Sequence, residues 1–186
     1  MSTPTAVAKA RGGDAAGRVL VVGVGNVLRG DDMFGMEVAA LLRQEQLPSS
    51  VTIVETGTAG ISLVQELLSG YDALLIIDAV EQHRVPGTLV LLEPQVPDPT
   101  ELSETQRREF SADLHQTDPS RALMLAKAVG CLPQHVLILG CEVGDCDELL
   151  VELTPAVRDA LAAAVSLALD TICGWLGPPA ASEVSA

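Results

Sequence analysis

The sequence predicts an α/β protein, a three-layer α/β/α sandwich around a mixed, mostly parallel five-stranded sheet. Apolar runs of strand length alternate with longer helical stretches along the chain, which is the order of βαβ units. Hydrophobic residues make up 48% of the chain and aromatic residues only 2%, so the core must be aliphatic. The length of 186 residues fits one domain. We place that domain at residues 18–176, between disordered tails at 1–17 and 177–186.

The first half of the chain predicts parallel strands. The apolar run VLVVGV (19–24), a helical stretch at about 35–46 and the run VTIVE (51–55) form a βαβ pattern. A short helix at about 61–69 then leads to ALLIIDAV (73–80), whose unbroken apolar character is typical of a central strand covered on both faces. The sheet is therefore expected to begin with parallel strands.

The fourth strand, TLVLLE (88–93), is expected to run antiparallel. It follows the third strand after only about nine residues, including Pro86 and Gly87, whereas a parallel crossover needs a dozen or more. A long, proline-rich irregular stretch at 94–114 comes next, and such loops are often functional. The remaining predicted elements are a helix at about 119–129, a strand at 135–142 and a helix at about 155–175 with Thr154 as its N-cap.

Composition argues against several classes of function. With 25 acidic and 11 basic residues, the formal charge of -14 would repel a phosphate backbone, so we expect no nucleic-acid partner. The cysteines form no CxxC pair, and we interpret them as reduced thiols. No apolar stretch approaches the roughly 20 residues that span a bilayer, and the first 17 residues lack the apolar middle of a secretory signal. We therefore expect a cytoplasmic protein without membrane insertion.

The glycine-rich segment GVGNVLRGDDMFG (23–35) is the first candidate for chemistry, because it joins the carboxyl end of a strand to a helix. Ligands of open α/β sheets bind at that edge. A dinucleotide fingerprint would need glycine at Leu28, and a pyrophosphate would meet the like charges of Asp31 and Asp32. Glu55 stands where a ribose-binding acid is found, so nucleotide binding remains an alternative.

Carboxylates near the ends of two strands are further candidates. Asp31 and Asp32 fit the role of helix N-terminal acids, one of them capping free backbone donors. Asp78 interrupts the apolar third strand. A buried carboxylate there either has a partner, such as loop amides or a metal, or has a raised pKa. His115 lies in the irregular segment before a helix, where a lone histidine is more often an ordinary surface or core residue.

These side chains are also suited to a shared metal. The first and third strands adjoin in a typical doubly wound sheet, so Asp32 and Asp78 would meet at its edge, where a loop carrying His115 could close over both. Two carboxylates and one imidazole leave open coordination positions, as in reactive rather than structural sites. Such a set should hold a borderline metal such as nickel only moderately, which permits transient engagement of a metal carried by another molecule.

Several segments, in order, resemble the hydrogenase maturation proteases over about residues 18–175. The strongest is GVGNVLRGDDMFG, and the others are GTAG (57–60), IIDAV (76–80), PGTLVLL (86–92), the His115 segment and LTPAV (153–157). Several matches in order are more specific than any one of them. The segment GCEVGD (140–145) departs from the family pattern at Val143, where proline is more usual.

The resemblance implies roles for individual residues. The family's metal-binding carboxylates fall on Asp32, where some members carry Glu, and on Asp78, and its histidine falls on His115. This trio would be both metal-binding and catalytic. Substrate recognition falls on Glu55, which replaces the Asp of some members, and on the residues that follow it: Gly57, Thr58, Ala59 and Gly60.

The resemblance further implies an endopeptidase that removes the C-terminal extension of a nickel-iron hydrogenase large-subunit precursor after nickel insertion. The nickel would be supplied by the precursor, and we expect other divalent metals to substitute in vitro. We expect the enzyme to act as a monomer. Two alternatives remain: a chaperone of the same fold that checks nickel insertion without cutting, and a nucleotide-binding module.

Overall fold

The computed structural model describes residues 17–57, 60–98, 119–144 and 151–177. Within these ranges the predicted α/β fold class, with its five-stranded mixed sheet, is confirmed. The strands are β1 (Val19–Val24), β2 (Val51–Gly57), β3 (Ala73–Val80), β4 (Leu89–Leu92) and β5 (His135–Glu142). The helices are a short 3₁₀ helix (Gly30–Met33), α1 (Phe34–Leu42), α2 (Gly60–Leu67), α3 (Pro119–Ala128) and α4 (Pro155–Leu176).

The sheet has the strand order β2-β1-β3-β5-β4. All neighbouring pairs are parallel except β4 with β5, which confirms the antiparallel fourth strand. The connection between β3 and β4 is too short for a crossover, so the chain turns back at the edge where β3 ends. We call the edge where β1, β3 and β5 end the carboxyl edge, and the opposite one the amino edge.

Helices cover both faces of the sheet because β3 and its parallel neighbours are apolar on both sides. In β3, Leu75 and Ile77 pack in the same cluster as residues of α1 and α4, whereas Leu74 and Ile76 pack with residues of α2 and α3. Burial of both faces explains why this strand reads as a continuous apolar run. The central position predicted for it is confirmed.

Helix α1 lies unusually close to the sheet because glycine is present at the contact. A Cβ atom added to Gly35 would lie 2.1 Å from the carbonyl oxygen of Ile77 and 2.3 Å from that of Val24. On the strand side, a Cβ added to Gly23 would lie 2.4 Å from the carbonyl oxygen of Gly35. This backbone contact fixes the start of α1, and the 3₁₀ helix before it, against the carboxyl ends of β1 and β3.

Most element boundaries agree with the sequence, with small shifts at the ends. Helix α1 ends at Leu42, before the predicted limit of 46, while β2 continues to Gly57 beyond the predicted 55. Residues 94–98 of the predicted irregular stretch form neither helix nor strand. The rest of that stretch lies outside the described residues, as do both predicted tails apart from Gly17 and Gly177.

Helix α4 corrects one expectation from the sequence. It is 22 residues long and contains an 18-residue window with a mean hydropathy of 1.4, so by length and composition alone it could cross a membrane. Charged residues such as Asp159 and Asp170 interrupt its sequence, which hid the apolar character of the whole helix. One side of α4 packs in the sheet core through Val157, Ala160, Ala164, Ala168, Ile172 and Trp175. That packing accounts for the apolar residues on this side.

Candidate functional site

Two of the residues that sequence analysis had singled out lie at the carboxyl edge. Asp32 lies in the 3₁₀ helix after β1, and Asp78 lies near the end of the adjacent strand β3. Both are partly exposed. His115 lies outside the described residues, so the predicted trio is located only in part. Within the described ranges, this edge included, no three His, Cys, Asp or Glu side chains form a group that could hold a metal.

Asp32 is held by a compact loop. Its carbonyl oxygen accepts the N–H of Asn26 at 3.2 Å, and its own N–H donates to the carbonyl oxygen of Arg29 at 3.1 Å. Gly25 has a φ of +150°, and a Cβ there would lie 1.9 Å from the Asp32 carbonyl oxygen. The loop therefore requires glycine at this position, and it fixes the backbone from which the Asp32 side chain extends.

Asp31, by contrast, turns away from solvent and is only 2% exposed. Its Oδ1 accepts the N–H of Thr154 at 2.7 Å, while its Oδ2 accepts the Thr154 hydroxyl at 2.9 Å and the N–H of Gly144 at 3.2 Å. The sequence allowed one of Asp31 and Asp32 to cap the helix beside it, but neither the nearby 3₁₀ helix nor α1 has a side-chain capping hydrogen bond. Asp31 instead binds Gly144 and Thr154, the residue just before α4, both more than a hundred residues away.

This contact also changes the role of Thr154. It is the N-cap residue of α4 by position, as predicted, but its side chain makes no capping hydrogen bond to that helix. The hydroxyl donates to Asp31 instead. A buried carboxylate at the positive end of the α4 dipole is favourably placed. No local sequence pattern could have identified this pairing.

Asp78 accepts a hydrogen bond from its own strand. Its Oδ1 accepts the N–H of Ala79 at 2.9 Å. By strand alternation its side chain starts from the sheet face that packs against α2 and α3, opposite to Ile77. This donor belongs to the strand, not to the loop amides that the sequence-based alternative named.

Glu142 is a site residue that sequence analysis did not identify. It ends β5, is 3% exposed, and both carboxylate oxygens lie 2.9 Å from the N–H of Gln82. Its backbone binds the same loop, accepting the N–H of Gly87 at 2.8 Å and donating to the carbonyl oxygen of Thr88 at 2.9 Å. Glu142 thus holds the connection between β3 and β4 against the carboxyl edge. The available signal was an acid at the end of an apolar strand, as for Asp78.

Cys141 is unsuited to nucleophilic chemistry. Burial, together with the negative charges of Asp31 and Glu142, raises the pKa of its thiol from 9.0 to about 12. The thiol therefore keeps its proton at neutral pH, and a protonated thiol is a poor nucleophile.

The predicted substrate-recognition segment lies at the end of β2. Glu55 pairs with Gly23 in the β1–β2 register, and its carboxylate forms an ion pair with Arg43, just after α1. Both partners remain partly exposed to solvent. Gly57 ends β2 and Gly60 begins α2, while the two residues between them, Thr58 and Ala59, lie outside the described residues.

Comparison with known proteins gives consistent matches. The family model for hydrogenase maturation protease matches residues 36–171. The hydrogenase expression/formation protein HupD of Bradyrhizobium diazoefficiens is 34% identical over 160 residues, covering 85% of this chain and 79% of HupD. The corresponding protein of Rhizobium leguminosarum is 33% identical over 162 residues, covering 86% and 76%.

Solved structures agree with these matches. The hydrogenase maturating endopeptidase HybD from E. coli superposes with a TM-score of 0.66 at 28% identity, covering 83% of this chain and 91% of HybD. A hydrogenase 2 maturation peptidase from a Thaumarchaeota archaeon has a TM-score of 0.61 at 35% identity, covering 86% of this chain and 99% of its own. The likeness therefore extends over nearly the whole fold.

Proposed function

We propose that this chain, which belongs to the hydrogenase maturation protease family, removes the C-terminal extension of a nickel-iron hydrogenase large-subunit precursor after nickel has been inserted. The observation that carries the proposal is the placement of Asp32 and Asp78. Two partly exposed carboxylates lie at the carboxyl edge, on segments that follow or end neighbouring strands. Ligands of open α/β sheets bind at this edge.

Nickel enters this reaction as part of the substrate. Asp32 and Asp78 offer hard oxygen ligands, and His115 is the proposed third ligand. Three ligands from the protease leave positions open for groups of the precursor. The protease would then bind a precursor that carries nickel better than one that lacks it. Other divalent metals that accept oxygen and imidazole ligands are expected to substitute in vitro.

Cleavage follows from placing the scissile segment beside that metal. The three ligands orient the C-terminal segment, and a polarised water or carbonyl allows hydrolysis of the peptide bond. Two other residues at this edge are poor candidates for a direct role. Cys141 keeps its proton at neutral pH, and the Glu142 carboxylate is buried with both oxygens directed at the N–H of Gln82. Either Asp32 or Asp78 remains the candidate base.

Substrate recognition is proposed for Glu55 and the following segment, Gly57, Thr58, Ala59 and Gly60. The Glu55 carboxylate already pairs with Arg43 and stays partly exposed. An exposed ion pair contributes little to stability, because solvent screens the attraction between the two charges. A basic group of the precursor can therefore compete with Arg43 for Glu55 at small cost.

The acidic chain suits a partner with basic groups near its C-terminal extension. A net charge of -14 favours encounter with a basic surface. We further propose that the protease acts as a monomer in the cytoplasm. Affinity for the precursor should fall as salt is added, and a flat response would remove the role of charge.

The test is a cleavage assay with nickel-loaded and nickel-free precursor, followed by mass spectrometry. Loss of one defined C-terminal peptide is expected only with nickel, and only when Asp32 and His115 are intact, as tested by Asp32→Ala and His115→Ala. Tight binding without cleavage would indicate the nickel-checking chaperone instead. Thermal stabilisation by NAD or ATP would favour the nucleotide-binding alternative.

A further inference from the structure

Asp31 connects two segments that leave different strands at the carboxyl edge. It belongs to the loop after β1, whereas its partners Gly144 and Thr154 follow β5 and lie 113 and 123 residues further along the chain. Strand β3 lies between β1 and β5 in the sheet. The connection therefore reaches across the end of the strand that carries Asp78.

The chemistry of the contact makes it rigid. A carboxylate that is 2% exposed accepts two backbone N–H groups and one hydroxyl. Hydrogen bonds to an ionised acceptor are roughly twice as strong as neutral ones. If the carboxylate were removed, the N–H groups of Gly144 and Thr154 would each need a new acceptor. The three donors therefore define one position for Asp31.

The position of Asp31 also fixes the backbone of Asp32, because the two residues are adjacent in the chain. Its backbone N–H and carbonyl groups are held by Arg29 and Asn26, inside the same compact loop. Asp31 anchors this loop through its hydrogen bonds to Gly144 and Thr154. A shift of Asp31 would therefore move the backbone of Asp32 relative to β3, where Asp78 is located.

We propose that Asp31 is a positioning residue, whose buried carboxylate sets the place of Asp32 relative to Asp78 by tying the loop after β1 to the start of α4. The proposal rests on the function proposed above, in which Asp32 binds the nickel of the precursor. Asp31 does not contact the substrate in this role. It acts through the backbone of its neighbour.

The experiment compares two carboxylates that both join distant segments. In the full-length chain, Asp31→Asn is expected to lower kcat for nickel-loaded precursor by about tenfold to a hundredfold, because small misplacements of catalytic groups have large effects. KM should change much less. The matched control is Asp72→Asn, since Asp72 accepts the N–H of Arg18 at 2.7 Å but lies at the amino edge. This control should keep the wild-type kcat.

Two variants at Thr154 cover the case in which Asp31→Asn does not fold. Thr154→Val keeps the backbone N–H but removes the hydroxyl donor, and it should lower kcat below the wild-type value. Thr154→Ser restores the hydroxyl and should restore kcat. A merely stabilising contact would change the melting temperature without this pattern in kcat.

Calorimetric titration with Ni²⁺ alone supplies a readout that does not depend on cleavage. Asp31→Asn should weaken Ni²⁺ binding by about tenfold, whereas Asp72→Asn should not, because only the former displaces a ligand. Wild-type kcat and Ni²⁺ affinity in folded Asp31→Asn would overturn the positioning role while leaving the protease intact. A wild-type chain that binds Ni²⁺ but does not cut would overturn the proposed function alone, and one that does neither would overturn both.

Discussion

The two edges of the sheet are held together in different ways. At the amino edge the contacts centre on Arg18, which is exposed. The Arg18 guanidinium donates to the carbonyl oxygens of Ser69 and Gly70 at 2.6 and 2.7 Å, and it lies 4.5 Å from the centre of the Tyr71 ring. The N–H of Arg18 donates to Asp72. These contacts fasten the chain before β1 to the turn before β3.

The carboxyl edge uses buried carboxylates instead. Asp31 and Glu142 are 2% and 3% exposed, and each binds donors from another loop. Burying a carboxylate costs free energy unless donors compensate for its lost hydration. An edge that only had to be stable would not need this arrangement. Buried carboxylates therefore join loops at the carboxyl edge, whereas exposed groups attach the chain at the amino edge, and the proposed function gives the first arrangement a use in fixing Asp32 relative to Asp78.

The largest expected effect tests whether close packing is required at the carboxyl edge. Gly35→Ala places a methyl group against the carbonyl oxygens of Ile77 and Val24, and it should lower the free energy of unfolding by more than about 3 kcal/mol. The control is Gly174→Ala, near the C-terminal end of α4, where no atom lies within 4 Å of the added Cβ. It should raise stability by about 0.5–1 kcal/mol through helix propensity. If urea unfolding gave the two variants the same free energy of unfolding, close packing at Gly35 would not be required.

The second prediction tests chemistry at the carboxyl edge with little change in fold. Asp78→Asn should reduce cleavage of nickel-loaded precursor by about a hundredfold or more, equivalent to about 2.7 kcal/mol of barrier. The melting temperature should change little, because an amide oxygen can still accept the Ala79 N–H. Precursor binding should persist in a pull-down. Cleavage at the wild-type rate by this variant would show that Asp78 has no role in the reaction.

The third prediction concerns the amino edge. Arg18→Ala removes two hydrogen bonds to carbonyl oxygens and a cation–π contact, and it should lower the free energy of unfolding by about 1 kcal/mol, since the Arg18 side chain is exposed. Cleavage by the folded variant should match the wild type when kcat is measured well below the melting temperature. A marked loss of kcat would show that the two edges are not separate in function.

The fourth prediction, with the smallest expected effect, compares the alkylation of two cysteines, one near each edge, in a Cys146→Ser variant. Exposed Cys173 should react with iodoacetamide at pH 8, whereas buried Cys141, with its pKa raised to about 12, should not. Because folding raises the pKa of this thiol, its contribution to stability is complete below pH 9.0 and is lost as the pH rises towards 12. Rapid labelling of Cys141 in the folded protein would be inconsistent with its burial.

Sequence analysis predicted the sheet well because its information is local. The unbroken run ALLIIDAV identifies the central strand, and the short connection after it fixes the reversed direction of β4. Helix ends were less predictable: Gln44 and Glu45 continue the polar pattern of α1, yet both lie in the turn after Leu42.

A residue of the candidate site could be predicted only where its polarity differs from that of the neighbouring sequence. Asp78 breaks an apolar strand and was noticed for that reason, whereas adjacent Asp31 and Asp32 carry the same local signal. Their separation into a buried and a partly exposed carboxylate depends on Gly144 and Thr154, which are distant in sequence. The ion pair of Glu55 with Arg43 likewise requires the packing of α1 on β2.

The long sequence separation of the Asp31 contacts also bears on when the enzyme becomes active. Closing a loop of more than a hundred residues is among the slower steps in folding, and it cannot occur before Thr154 has left the ribosome. A nascent or truncated chain can therefore build β1, α1 and β3 without fixing the loop that carries Asp32. On the proposed role of Asp31, the position of Asp32 is therefore set only after the residue that precedes the last helix has joined the fold.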